Sequence, residues 1–396
     1  MNFEEFRKIL IEETNNLKEG QKLSLIETGY SQQFLQKLIF NDSKCKSFFT
    51  DDKDVLERFD YTDINFDNFS CDDFDFSNLI GIKINPQKIY KKNLYRAKCD
   101  GVEFIDSFDG VLVEGTDFKG SKGVKINPQR IYCKSLLHTK CYDVEFIGPF
   151  DEVHIQSTNF KGSKGAKINP QTIYNKDISS TILDGVEFIG TFNGVKIGYA
   201  DFTGSKGVRI DPQTVYNKEL ISCKLNGVKF IGAFDDAWIK KADFTGSVGA
   251  KIDPQTIYNK NMYGVKCKDV KFVGSFDGVW IKNVDFTGSK GVKINPQTIC
   301  ERNLSNVICD SVEFTGPFNN VYLIGTNFKG SKGAVIDPQT IFNRDLSNVM
   351  CYDVEFTDTF NSNVKTIGTD FTGSNFNELL SLNQNFRNKI RKLILN

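Results

Sequence analysis

Histidine is nearly absent from this sequence: His138 and His154 are the only two in 396 residues. Neither falls in a recurring pattern with Ser, Cys or Asp, so no imidazole-based catalytic constellation is visible. An excess of charge is also missing, with 50 basic and 50 acidic residues. A zero balance argues against a bulk polyanion mimic and against a general nucleic-acid binder, each of which needs one sign in surplus. The cancellation hides an asymmetry: residues 1–80 carry 17 acidic and 9 basic side chains, a net of −8, which leaves +8 for the remainder. No apolar run approaches the ~18–20 residues that span a bilayer. The start, Met1-Asn2-Phe3-Glu4-Glu5-Phe6, lacks the basic stretch and apolar run of a secretory signal. The expectation is a cytoplasmic protein without a membrane partner.

What the sequence has in abundance is phenylalanine, 35 residues, and it recurs on a fixed period. Pro86, Pro128, Pro170, Pro212, Pro254, Pro296 and Pro338 are 42 residues apart, each in an (Asn/Asp)-Pro-Gln sequence. Phe104, Phe146, Phe188, Phe230, Phe272, Phe314 and Phe356 keep the same spacing. Such a period suits a propeller blade of ~40–45 residues, but a finer one decides against it. Leu94, Cys99 and Phe104 are five apart, as are Leu304, Cys309 and Phe314. A propeller strand alternates with period two, whereas period five fits a chain that turns a corner every five residues and sends one large side chain inward per side. Two positions before the large residue stands a smaller one, with Asp or Asn between in many units. Ala200-Asp201-Phe202-Thr203-Gly204 shows the unit whole.

Here the sequence resembles the pentapeptide-repeat family, whose unit is Ala-(Asp/Asn)-(Leu/Phe)-x-x. The resemblance implies an all-β solenoid, a right-handed quadrilateral β-helix with four units per coil. Each 42-residue repeat is then two coils with a two-residue excess, and the chain holds about fifteen coils. The Asn-Pro-Gln-Thr segment is the expected place for the excess, as one helical turn bulging from a corner, because Asn favours the N-cap and Pro the first helical position. The Phe-Asp-Gly segments are a second expected loop. Residues 1–56 are expected to form an α-helical N-terminal cap, with helices over 3–18 and from Ser31 to Phe40. The β-helix then spans 57–375. Residues 376–396 form a C-terminal capping helix, with Leu379, Leu382, Phe386, Ile390, Leu393 and Ile394 as its apolar stripe. Nearest-neighbour stacking makes both ends of such a solenoid need covers.

Ten cysteines raise metal and redox chemistry. Cys99, Cys141, Cys267, Cys309 and Cys351 share one column with Leu183 and Leu225, which marks an apolar core slot. Neighbours in it lie two coils apart, roughly 9–10 Å by strand spacing, too far for a disulfide. Cys223 falls at the small inward position. Cys133, His138 and Cys141 are close in sequence but lack an evident fourth ligand. Gly-Ser-Lys-Gly recurs without the spacing of a phosphate loop and reads as a corner turn. Identical coils also give the repeated Asp residues identical surroundings, whereas acid–base pairs need unlike ones. The expectation is no enzyme, no cofactor and no metal.

Surface columns remain. Lys92, Lys134, Lys176, Lys218, Lys260, Arg302 and Arg344 form an unbroken basic column. Lys125, Lys167, Arg209, Lys251 and Lys293 form a second, and Lys122, Lys164, Lys206, Lys290 and Lys332 a third. Leu112, His154, Lys196, Trp238, Trp280 and Tyr322 are equivalent positions that reach solvent, so the last three form an exposed aromatic patch. Clustered exposed aromatics mark protein contacts. The leading expectation is a non-enzymatic scaffold that docks a protein partner. Two alternatives stand beside it: binding of an anionic polymer through the basic side, and a role implied by the resemblance alone. Some members of that family mimic duplex DNA and modulate bacterial type II topoisomerases such as DNA gyrase, although that role calls for a strongly negative surface. The resemblance also implies a homodimer through the C-terminal end.

Overall fold

The structure, a computed structural model, describes residues 3–16, 23–24, 59–60, 65–77, 79, 81–360 and 362–381. A helix, Phe3–Asn15, opens the chain. Leu23–Ser24 pairs in parallel with Phe59–Asp60. The second helix expected over Ser31 to Phe40, most of the expected 1–56 cap and the apolar stripe from Leu382 onward lie outside the described residues. A short helix over 376–381 closes the described part.

Between these ends the chain is an all-β solenoid of about 14 turns. The coils group into two compact units. The first runs to Thr191 and includes Gly204–Gly207, and the second comprises Phe192–Thr203 and the chain from Val208. The first unit shows how a coil is made. Leu94, Cys99, Phe104 and Phe108 point inward from four successive faces, and Val113, Phe118, Ile126 and Ile131 do the same one turn later, all at most 4% exposed. Neighbouring coils pair in parallel, as in Lys125–Ile126 with Glu145–Phe146. The second unit repeats the pattern, with Lys251–Ile252 on Lys271–Phe272. Buried rings interlock within each unit, for example Phe108 edge-on to Phe118 at 5.6 Å.

The corner chemistry explains the Asp or Asn of the five-residue unit. Asp201 Oδ1 accepts from Thr203 N at 3.0 Å, closing the turn, while its Oδ2 accepts from Lys224 Nζ of the next coil at 2.8 Å. Partial burial works against this charge. Hydrogen bonds from Lys224 and Thr203 outweigh it and hold the Asp201 carboxyl below the usual carboxylate range. The small inward slot also has a use. Thr181 Oγ1 donates to Ile155 O at 3.0 Å, and Cys223 Sγ takes the same role on Ile197 O at 3.0 Å.

The two-residue excess is not a helical turn at Asn-Pro-Gln. Two coils of unequal length build each repeat. Asn93 bridges Leu112 and Lys98 bridges Asp117, 19 residues on, whereas Asp117 bridges Lys140, 23 residues on. The short coil loses one residue between Phe104 and Phe108. The long coil gains three in Gly120-Ser121-Lys122-Gly123-Val124-Lys125, where Lys122 pairs back to Glu103 and Lys125 pairs forward to Glu145. Gly123 makes this double step feasible: its φ is +71°, and a Cβ there would collide with the Phe104 carbonyl oxygen. Asn127-Pro128-Gln129-Arg130 is instead a single turn. Asn127 Oδ1 accepts from Gln129 N at 3.0 Å and Asn127 O from Arg130 N at 3.0 Å. Pro128 presets the turn, but Ile131 must be extended (φ −67°, ψ 161°) to point inward, so no helix can propagate.

Candidate functional site

The aromatic patch lies on one face of the second unit. Trp238, Trp280 and Tyr322 bridge Glu219, Asn261 and Asn303 of the preceding coils, and both tryptophans are 37% exposed. The rings do not stand alone. Trp238 lies against Tyr258 with centroids 5.2 Å apart, and Tyr322 stacks on Phe342 at 3.7 Å. Lys196 sits over Tyr216 in the same relation, and in the first unit His154 stacks on Tyr174 at 3.6 Å. Each pair joins a residue of the Trp238 column to one 20 positions later. Tyr174, Tyr216 and Tyr258 thus complete the aromatic face, a partnership that the column of Trp238 and Trp280 alone does not reveal in the sequence. The position 20 residues after Trp280 is Cys300, a cysteine where the neighbouring repeats have Tyr258 and Phe342. Among the described residues no ring stacks on Trp280.

The first basic column serves the corners. Lys134 and Lys176 in the first unit, and Lys218 and Lys260 in the second, are half-buried, while Arg302 and Arg344 are exposed. Lys176 Nζ donates to Gln171 Oε1 at 3.0 Å and Lys260 Nζ to Gln255 Oε1 at 2.7 Å. Lys218 reaches Asp236 at 3.4 Å, and Arg344 Nε donates to Gln339 O at 3.3 Å. Gln255 in turn donates to Ser275 O and Asp277 O of the next coil, at 3.0 and 2.8 Å. That bond pair fastens the Phe-Asp-Gly loop and gives a reason for Gln in each Asn-Pro-Gln. The second and third columns share a different face, along the strands that begin at Lys83. There Lys125 meets Glu145 at 3.3 Å, Lys167 meets Glu187 at 3.4 Å and Lys293 meets Glu313 at 3.1 Å.

Comparison with known proteins finds no matching family model and no matching curated protein. Solved structures do match. HetL, described as a pentapeptide repeat protein involved in heterocyst differentiation regulation in the cyanobacterium Nostoc, is 9% identical, covering 71% of this chain and 88% of its own, with a TM-score of 0.14. QnrB1, described as a plasmid-mediated fluoroquinolone resistance protein, is 17% identical over 60% of this chain and 93% of its own, with a TM-score of 0.16. Scores this low lend neither protein's biology to this chain, and the coils themselves carry the assignment. The chain folds as a pentapeptide-repeat β-helix.

Its remaining apparent sites are parts of the pentapeptide coil. Cys99, Cys141, Cys267, Cys309 and Cys351 are fully buried, and burial pushes each thiol upward. Cys133 and His138 sit at exposed corners with φ of 51° and 57°, while Cys141 faces the core. Gly-Ser-Lys-Gly is the double step of the long coil. Among the described residues no helix is long and apolar enough to cross a membrane.

Proposed function

We propose that this pentapeptide-repeat β-helix is a non-enzymatic binding scaffold that docks a protein partner on the aromatic face of its second unit. The observation that supports this reading is the row Trp238–Tyr258, Trp280 and Tyr322–Phe342, large rings held in place by the coils, of which Trp238, Tyr258 and Trp280 are exposed and Tyr322 and Phe342 half-buried. Rigid aromatics that need little further ordering are the residue types that dominate binding energy at interfaces. The repeated polar motifs, by contrast, are tied into corners.

Affinity capture from native lysate, comparing wild type with the double variant Trp238→Ala/Trp280→Ala, tests the reading. The captured partner should bind the variant at least ~30-fold more weakly, the loss expected for about 2 kcal/mol at a binding hot spot. Retention by that variant, with loss in Lys176→Glu/Lys218→Glu/Lys260→Glu, would move function to the basic side and an anionic polymer. A DNA-mimic role on a type II topoisomerase would show as inhibition or protection in a supercoiling assay at micromolar protein. The lysine columns argue against that role. A homodimer through the C-terminal end is a further proposal, checked by sedimentation of the full chain.

A further inference from the structure

One stretch of the lysine face breaks the rule followed elsewhere on it. In the first unit the residue paired with Lys83, Lys125 or Lys167 is Glu103, Glu145 or Glu187. In the second unit the corresponding residues are Lys229, directly opposite Arg209, and Lys271, directly opposite Lys251. Lys271 also bridges Lys290. These five basic side chains are exposed and stand on consecutive coils, and among the described residues none of them forms an ion pair. The run ends where Lys293 meets Glu313 at 3.1 Å. Like charges directly opposite one another in a parallel ladder are unfavourable, and the same backbone carries glutamate at the equivalent places. Carboxylates at the adjoining corners are engaged with backbone: Asp211 accepts from Gln213 N, Asp253 from Gln255 N and Asp269 from Gly246 N.

We infer that this ladder is a second docking surface, and that its occupant is an acidic α-helix of a protein partner lying along the coil axis. Charge complementarity requires an anion. Two further features select the helix. The basic rows repeat at the strand spacing of ~4.8 Å. A helix presents one stripe residue per ~5.4 Å turn, close enough for long lysines to follow over four rows, whereas same-side residues of an extended strand recur at about 6.6 Å. Beside the bases stand Val248, Ile231 and Val273, which are 59%, 61% and 48% exposed. Aliphatic side chains suit the flank of an amphipathic helix. Nucleic acid would favour aromatic platforms, and those lie on a different face of the same unit.

The test uses the full chain and an ~18-residue helix-stabilised peptide with Glu on one stripe at every turn and Leu beside it. A scrambled peptide of the same composition, an oligothymidylate and polyphosphate are the comparisons, all followed by fluorescence anisotropy. Wild type should prefer the striped peptide to the scrambled one at least tenfold, and binding should weaken as salt is raised. Lys229→Glu/Lys271→Glu, which restores the glutamates of the other coils, should lose at least tenfold while keeping its circular dichroism spectrum. Glu313→Lys extends the ladder and should tighten binding severalfold, a gain that misfolding cannot produce. Equal binding of both peptides, indifference to Lys229→Glu/Lys271→Glu, or tighter binding of oligothymidylate or polyphosphate than of the striped peptide would each overturn the inference. The inference does not rest on the aromatic face, because Trp238→Ala/Trp280→Ala should leave peptide binding unchanged.

Discussion

Stability is expected to collapse above pH 9 and to be recovered in part by replacing core thiols with leucine. Among the described residues seven cysteines are buried: Cys71, Cys99, Cys141, Cys223, Cys267, Cys309 and Cys351. Removal from water penalises the thiolate and pushes each thiol up, Cys223 to about 12. In the unfolded chain a thiol ionises near ~8.5. Above that value the unfolded state holds fewer protons than the folded one, so unfolding free energy falls as pH rises. The contribution is fully present below the unfolded value. It is lost at about 1.4 kcal/mol per thiol for each pH unit above it, until the folded thiol also ionises. At pH 10, about 1.5 units above that value, the seven together approach about 14 kcal/mol, the same order as the whole stability of a typical domain. In a solenoid the loss falls coil by coil. Denaturant midpoints measured at pH 7 and pH 10 under reductant check the effect. Cys141→Leu/Cys267→Leu/Cys309→Leu is the informative variant, because Leu183 and Leu225 already fill that column fully buried. It should lower the alkaline slope by roughly three-sevenths. An unchanged slope would mean that the loss has another origin.

The core was legible because burial repeats with the chain. Period five locates Leu94, Cys99 and Phe104, and the shared column of Cys141 and Leu183 marks the slot as apolar from the sequence alone. Lateral neighbours were not legible. The 42-residue period averages a 19-residue coil and a 23-residue coil, so it does not say which residue of one coil lies beside which of the next. That single unknown hid the pairing of Trp238 with Tyr258, the ion pair of Lys125 with Glu145, and the juxtaposition of Lys229 with Arg209. The Asn-Pro-Gln expectation failed for a related reason. Local propensity favoured a helical turn, but the next residue inward, Ile131, has to stay extended to reach the core, and tertiary burial overrides capping preference. The basic column from Lys134 to Arg344 was located along the chain, yet its bonds to Gln171 and Gln255 depend on how the corner folds back, which spacing does not encode.

Phe244→Ala should cost about 3–5 kcal/mol, whereas Phe244→Leu should cost less than about 1.5 kcal/mol. Phe244 is fully buried, with the rings of Phe230 and Phe234 at 5.7 and 5.6 Å. Leu225 and Cys267 stand above and below it on the same face, so a branched aliphatic of intermediate volume already fits the column. Alanine does not. The space it leaves cannot close, because hydrogen bonds fix the coils on either side: Leu225 N to Asp243 O at 2.9 Å, Phe244 N to Lys266 O at 3.0 Å. A globular core relaxes into part of such a cavity, but a coil one side chain wide has only its two neighbours to draw from. The damage should therefore be local. Hydrogen exchange should accelerate most at the amides of Leu225, Phe244 and Lys266 and much less at those of the first unit. Trp238, on the same coil as Phe244, and Trp280, two coils on, give a fluorescence signal for the same event. Uniform acceleration across the chain would show that the coils unfold as one cooperative block, and the coil-by-coil account of the alkaline effect would fall with it.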